Sequence, residues 1–413
     1  MSVTHGHEVV FEPLSESFAR DPYAVYAQLR QNHQPHYYED FDVWLLSRYE
    51  DVEKAALNPA FVRSPSAFMS PQEEAHERRK ANWHDMPNHS RFVQFSLLDS
   101  DGDVHFRLRK IVLGKFTGRY VERHRSMIVR YVDSLLDDLL DKGQIDFIAD
   151  LACHVPGHII GNVLGVPDDD CPQLRIWSEN VVQFFDVART DEHKKLAEQA
   201  TTEFYEYLVE LIARRSRQPK DDLVSTLIEA KNAGEMDETE LISTCMLILM
   251  AGHGSTIDVM GSGMHTLLQN PGELKRLRAD PGLMATAVQE MFRYESPLPF
   301  FHRYATEDVE VLGQRFPKGS RFGLLYGSAN RDSAVFPDAD RFDVGRTPNR
   351  HIAFGRGPHL CLGNHLSRLD MEILFSALLA KTRSIELATD EVAFKRSLSV
   401  RGPVCLPLSM APA

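Results

Sequence analysis

One cysteine in this chain sits where its surroundings could hold a metal: Cys361, in the run Phe354-Gly355-Arg356-Gly357-Pro358-His359-Leu360-Cys361-Leu362-Gly363. Leu362, Leu366, Leu369, Ile373 and Leu374 follow at helical spacing up to Lys381, which predicts a helix with Cys361 at its N-terminus. Unpaired N–H groups and the helix dipole are expected there to lower the thiol's pKa, and the thiolate is the form that binds metal. Gly355 and Gly357 let the chain turn beneath a flat ligand, Gly363 keeps a Cβ out of the helix's approach, and Phe354 can pack inside the loop. A second group of residues lies on a long helix expected from Asp237 to Asn270, opened by the capping pair Asp237 and Glu240 and closed before Pro271. Its interior holds Gly252, Gly254, Gly261 and Gly263. Each costs about 1 kcal/mol against Ala, so the cluster serves either close packing or a ligand against the backbone. Packing is the plainer reading for Gly261 and Gly263.

The elements that must position these residues are mostly helices. Helical patterns cover Asp21 to Asn32, His105 to Lys115, Tyr120 to Leu140, Glu192 to Arg217 and Gly282 to Glu295. Val43 to Ser47 reads as a strand, and Val309 to Leu325 as a hairpin-like pair punctuated by Gly313 and Pro317-Lys318-Gly319. The fold class expected is mainly α with small β-sheets. With 413 residues, 43% of them hydrophobic, and no linker-like break, the chain reads as one domain spanning 1–413, with 1–20 a loose N-terminal segment. Five scattered cysteines without a Cys-x-x-Cys pair argue against a disulfide framework or a zinc site and fit a reducing, cytoplasmic setting. Leu241 to Gly252 is shorter than the roughly eighteen apolar residues of a membrane span and reads as a buried core helix. A net charge of -13 disfavours nucleic acid and anionic membrane as partners.

The cysteine run resembles the cytochrome P450 superfamily, soluble bacterial type, whose loop reads Phe-x-x-Gly-x-x-x-Cys-x-Gly; Phe354, Gly357, Cys361 and Gly363 match it, and His359 is the usual histidine of the bacterial members. Glu290-Met291-Phe292-Arg293 matches the family's Glu-x-x-Arg, and Arg341 in Phe336-Pro337-Asp338-Ala339-Asp340-Arg341-Phe342 the third member of its Glu-Arg-Arg cluster. On a helix the three-residue spacing lets Glu290 and Arg293 pair, and an isolated pair of that kind would be a surface contact worth about half a kcal/mol. His105-Phe106-Arg107-Leu108-Arg109 resembles the family's His-x-x-x-Arg helix, and Arg303 the arginine that enters the sheet beside the haem. The resemblance runs from about Asp21 to Leu408, with the motifs in the family's order.

It implies a triangular helical body holding haem b, iron protoporphyrin IX, with Cys361 as axial thiolate. His105, Arg109, Arg303 and His359 become the set for the two propionates, with Phe354, Gly355 and Ala251 also against the cofactor. For His105 alone, a satisfied helix histidine is the plainer reading. Ala251-Gly252-His253-Gly254-Ser255-Thr256 aligns with the oxygen-activation groove, placing Gly252, Gly254, Ser255 and Thr256 in the catalytic set. Gly254 stands where an acid is expected, and Ser255 where threonine is expected. Thr256, Ser255 and water could deliver protons unaided, or a polar group of the substrate could complete the relay. Slow protonation could instead favour oxidative rearrangement or carbon–carbon cleavage through a ferric-peroxo species. His253, at the position that turns away from the iron, reads as packed or solvated.

The activity implied is monooxygenation of a hydrophobic small molecule, terpenoid- or steroid-like, with electrons from a separate ferredoxin and its reductase. Phe68, Met86, Phe92, Phe184, Leu247, Met250, Pro299, Phe301 and Val400 are the expected pocket residues, each of which could equally be core packing. Arg107, Lys110, Lys115, Arg119 and Arg123, with Arg350 and Arg356, could form a basic docking face or a scatter of solvated charges. A peroxide- or nitric-oxide-using haem-thiolate enzyme and a non-catalytic haem sensor are the rival classes.

Overall fold

The computed structural model describes residues 9–94, 96–185 and 190–413, with the side chains of 93, 94 and 185 not described. Three sheets lie against a mainly helical body. In the largest, the order is β1 (His36–Tyr38), β2 (Val43–Leu46), β8 (Arg321–Leu325), β5 (Phe300–Ala305), β3 (Phe61–Val62). Only the β2–β8 pair is parallel, with Trp44 opposite Phe322, and β5 runs antiparallel to β8 with Phe300 opposite Leu325. The others are a three-stranded sheet of β4 (Gln144–Asp146), β10 (Pro407–Pro412) and β9 (Thr382–Leu387), and the hairpin of β6 (Val309–Val311) and β7 (Gln314–Phe316). The expected Val309 to Leu325 pair therefore divides: its first half is the hairpin, while β8 leaves for the sheet centre, where Phe322, Leu324 and Leu325 are fully buried.

The helical patterns form as Tyr23–Gln31, Gly102–Leu113, Arg125–Leu140, Asp191–Arg217 and Met284–Tyr294, the third preceded by a separate turn, Gly118–Glu122. The expected 237–270 helix opens with a complete Asp237/Glu240 capping box but breaks into Glu238–Ala251 and Gly254–Gln269. Residues 241 to 250 are all buried, as expected of a core helix. Among the described residues two helical stretches are long and apolar enough to cross a membrane, Phe147–Leu164 and Glu238–Gln269, and their most apolar eighteen-residue windows are 67% and 72% buried inside the protein. The N-terminal segment is not loose where it is described: Val9, Phe11 and Phe18 pack with Tyr26, Tyr38, Leu45 and Phe300, and Ser15 caps the Glu16–Arg20 helix. The five aromatic rings of this cluster bury apolar area that holds the segment in place. Residues 1–8 lie outside the described part.

Candidate functional site

The cysteine loop is tied to itself by backbone bonds. The Cys361 N–H donates to the Phe354 carbonyl at 2.8 Å, and the Leu360 N–H to the Gly357 carbonyl at 3.1 Å. Gly355 and Gly357 both have φ of +72°, and a Cβ on Gly357 would lie 2.7 Å from the Ala56 carbonyl oxygen, so the turn requires glycine. The Phe354 ring packs 4.5 Å from the Phe292 ring, with the Arg368 guanidinium 4.5 Å over its other side. Cys361 keeps accessible surface although protein atoms enclose it, the pattern of a side chain facing an internal space.

That burial pushes the Cys361 thiol up, against the Gly363 N–H and the charges of Arg109 and Arg368. The expected lowering by the helix N-terminus is therefore overturned. The Asn364–Lys381 helix starts three residues beyond Cys361, and its N-cap Gly363 supplies the one backbone N–H that favours the thiolate, so burial outweighs that bond. A metal ion bound to the sulfur would add to that bond and to the two arginines in favouring the thiolate.

Around this loop lies a buried cationic set. Arg109 on the Gly102–Leu113 helix donates to the Leu360 carbonyl at 2.6 Å, tying that helix to the residue before Cys361. His105 and His359 stand with ring centres 4.3 Å apart, and His359 Nε2 lies 3.1 Å from Asp101 Oδ1. The buried His105 Nε2 has no hydrogen-bond partner among the described residues, and burial and its cationic neighbours bring its pKa down to about 4. Arg303 is 4% exposed and makes no ion pair among the described residues; its Nη1 donates only to the His302 carbonyl, at 2.8 Å. Burial brings its pKa down to about 10. A buried guanidinium without a carboxylate, beside an orphaned imidazole, suits an incoming acid group. This arrangement fits the two haem propionates. Sequence reasoning missed Arg63 of the adjoining loop, which donates to the same His302 carbonyl at 3.1 Å.

The groove forms at the helix break. Ala251 is exposed at the end of a helix whose preceding ten residues are buried, and a Cβ on Gly254 would meet no atom within 4 Å. Both face open space. Gly252 also serves packing, since a Cβ there would come within 2.8 Å of Ile160. Ser255 is half-buried, and the Thr256 hydroxyl lies 3.0 Å from that of Ser367, joining the groove helix to the helix that follows Cys361. His253 turns away and packs over Gly157, 3% exposed, with burial bringing its pKa down to about 3.

Of the nine expected pocket residues, Phe92, Leu247 and Met250 line one cavity, joined by Val181, Met246, Ser96, Asp99, Thr201 and Ser243. Met86 and Phe184 instead form a separate cluster with Ala197 and Trp83. Phe68 leans on Tyr304 at 5.7 Å, Pro299 packs against Gly327, and Phe301 lies 5.2 Å beneath the Arg63 guanidinium. Val400 is half-buried, with its N–H on the Ser397 hydroxyl, and does not line that cavity. No hydrophobic pattern in the sequence marks which side chain faces that cavity.

The structural cluster also needs correction. Glu290 and Arg293 are completely buried and doubly bonded at 2.7 and 2.8 Å. The third member is Arg346, whose Nε donates to Glu290 Oε1 at 3.0 Å. Arg341 points outward, 66% exposed and paired with Asp343, and contributes only its carbonyl to Arg293 and Arg346. On the proposed docking face, Lys110, Arg119 and Arg350 are exposed without ion pairs among the described residues. Arg107, Lys115, Arg123 and Arg356 are held by Glu240, Asp221, Asp221 and Glu53.

Comparison with known proteins agrees with this site. The cytochrome P450 family profile matches residues 66–281 and 282–395. The chain is 33% identical to the biotin biosynthesis cytochrome P450 of Bacillus subtilis (strain 168), over 96% of this chain and 98% of that one. It is also 33% identical to the polyketide biosynthesis cytochrome P450 PksS of the same organism, over 98% and 99%. Its structure resembles that of a myxobacterial cytochrome P450 in complex with myristic acid, with a TM-score of 0.89 and 36% identity over 96% of this chain and 98% of that chain.

Proposed function

Because this chain belongs to the cytochrome P450 family, an oxidoreductase family with haem b on a cysteine thiolate, we propose that it inserts one oxygen atom of O2 into a hydrophobic small molecule at a haem held by Cys361. The observation that carries this reading is an enclosed cysteine with accessible sulfur, near a buried Arg303 that makes no ion pair among the described residues and a buried His105 whose Nε2 is left without a hydrogen bond. When bound, the haem supplies dioxygen activation, with thiolate electron donation favouring O–O cleavage.

The chain's own residues do the rest. His105, Arg109, Arg303 and His359 receive the propionates. Phe354 and Gly355 would line one side of the haem, Ala251 leaves room on the other, and Gly252 lets the groove helix pack against Ile160. Ser255 and Thr256 hold protons at their hydroxyls, and the open side of Gly254 leaves space for water or a substrate group where an acid would stand. That same opening favours a second reading, oxidative rearrangement or carbon–carbon cleavage, in which protons arrive slowly. Phe92, Leu247 and Met250 exclude water around an apolar substrate. The relative named for polyketide biosynthesis and the structure in complex with myristic acid set long aliphatic molecules beside the terpenoid and steroid classes expected from pocket type.

Electrons come from a separate ferredoxin with its reductase, and the docking face is the Gly102–Leu113 helix beside the cysteine loop. Phe106 and Leu113 are 71% and 46% exposed there, Leu360 is 39% exposed, and Lys110 and Arg119 stand free among the described residues. Apolar side chains ringed by cations suit a small acidic partner. The haem domain is one unit spanning the chain.

The test is the carbon monoxide spectrum of the reduced protein, wild type and Cys361→Ser. A strongly red-shifted Soret band that the variant loses, with folding intact by circular dichroism, supports the reading. A wild-type band at the histidine-ligated position, or a red-shifted band that persists in the variant, refutes it.

A further inference from the structure

The cavity lined by Phe92, Val181, Leu247 and Met250 has one ionisable group in its lining, Asp99. A carboxylate in an apolar wall is costly unless paired. Asp99 is paired from behind: its Oδ1 accepts from Arg63 Nη2 at 2.9 Å, and Arg63 is 5% exposed. Arg63 is fixed in turn by the His302 carbonyl and by its place over the Phe301 ring, 5.2 Å away. Asp99 Oδ2 meets no protein donor among the described residues.

The hydroxyls of Thr201 and Ser243 donate elsewhere, and that of Ser96 accepts from the backbone. The Thr201 hydroxyl donates to the Ala197 carbonyl at 2.6 Å, the Ser243 hydroxyl to the Phe92 carbonyl, and the Ser96 oxygen accepts the Asp99 N–H at 3.3 Å. The wall therefore offers a substrate one strong acceptor, held in place and backed by a cation. Because Arg63 already balances the charge, a neutral donor suits Asp99 better than a second cation. A carboxylate head would face Asp99 directly, and displacing Asp99 from Arg63 would strand a buried charge.

Building on the monooxygenase reading above, we propose that Asp99 is a specificity-determining residue: the substrate is an apolar molecule carrying a hydroxyl group, which donates to Asp99 Oδ2. A buried hydrogen bond to an ionised acceptor is worth about tenfold or more in affinity.

The experiment is a ligand series on the haem-loaded protein: 1-dodecanol, 1-methoxydodecane, in which a methyl group replaces the donor hydrogen, and laurate, with dissociation constants from calorimetry and from spin-state titration. Wild type should bind dodecanol about tenfold tighter than the methyl ether, with laurate weakest. The ratio should shrink in Asp99→Asn and approach one in Arg63→Met/Asp99→Leu, which replaces the pair by apolar groups and strands no charge. A wild-type ratio near one, a ratio unchanged in both variants, or laurate binding tightest would overturn the proposal. The carbon monoxide spectrum of the same preparations separates the two readings. A red-shifted band with a flat ligand series sinks the Asp99 proposal alone, whereas loss of the band sinks the monooxygenase reading.

Discussion

Glu290 is fully buried and its two oxygens are saturated. Arg293 takes both; Arg346 and the Asp343 N–H also donate to Oε1, at 3.0 Å each, and Asn349 to Oε2 at 3.0 Å. Removing Arg346 leaves the Glu290 charge balanced by Arg293 but strips a charge-assisted bond from Oε1 and the donors to the Pro337, Asp338 and Arg341 carbonyls, and a bond to a charged group is worth about 1.5–3 kcal/mol. An exposed ion pair is worth about 1 kcal/mol or less. Arg346→Ala is therefore expected to lower unfolding stability by several kcal/mol, on the order of 3, and Arg341→Ala by less than about 1. Urea unfolding of the two variants side by side checks this, and equal losses would mean Arg346 is not part of what holds the cluster. The Glu-x-x-Arg pair was legible because helix geometry fixes which residues share a face. Its third partner was not: Arg341 and Arg346 both lie in irregular chain, where no period says which side chain turns inward.

At the scale of elements, the groove helix shows how one residue type serves two ends. A Cβ on Gly261 would lie 2.5 Å from Ile148 Cδ1 and 2.7 Å from Pro403 Cγ, and the proline ring cannot turn aside. A Cβ on Gly254 would meet nothing within 4 Å, and Gly254 begins its helix. Gly261→Ala is expected to destabilise by about 1–3 kcal/mol through overpacking, whereas Gly254→Ala should be neutral or gain up to about 1 kcal/mol from reduced chain entropy. Thermal unfolding of both variants decides it; a destabilised Gly254→Ala would mean the space beside it is not open. The packing role of Gly261 was the plainer expectation from sequence. The break at Gly252-His253 was not visible there, since the hydrophobic pattern continues across it. It forms where Gly252 is pressed against Ile160 and His253 over Gly157, contacts with a helix far away in the chain.

Across the whole molecule, His253 links packing to pH. Its pKa of about 3 in the folded chain lies below the ordinary 6.5, chiefly from burial, with Arg175, His154 and Lys395 adding to the shift. Only the unfolded chain takes up its proton near pH 6, so the stability it contributes is complete above about pH 6.5 and is lost as pH falls towards 3. This one residue should make the protein about 2 kcal/mol less stable at pH 5 than at pH 7, and His253→Gln should remove that part of the slope. Urea midpoints at the two pH values measure it, and an unchanged slope in the variant would place the acid sensitivity elsewhere.

The sequence by itself determined the helical class, most element positions, the capping box, the family resemblance and the cysteine with its cationic neighbours, because those depend on local periodicity, turn chemistry and motif spacing. Tertiary structure alone decided what local pattern does not encode. It set the raised thiol pKa, which follows from how many atoms enclose the sulfur, and the choice of Arg346, which follows from the path of a loop. It also docked the 9–20 segment, split the 309–325 pair between two sheets, and gathered Arg63 and Asp99 at one wall of a cavity. Each depends on side chains that meet from distant parts of the chain, and contact of that kind is fixed by how the elements pack.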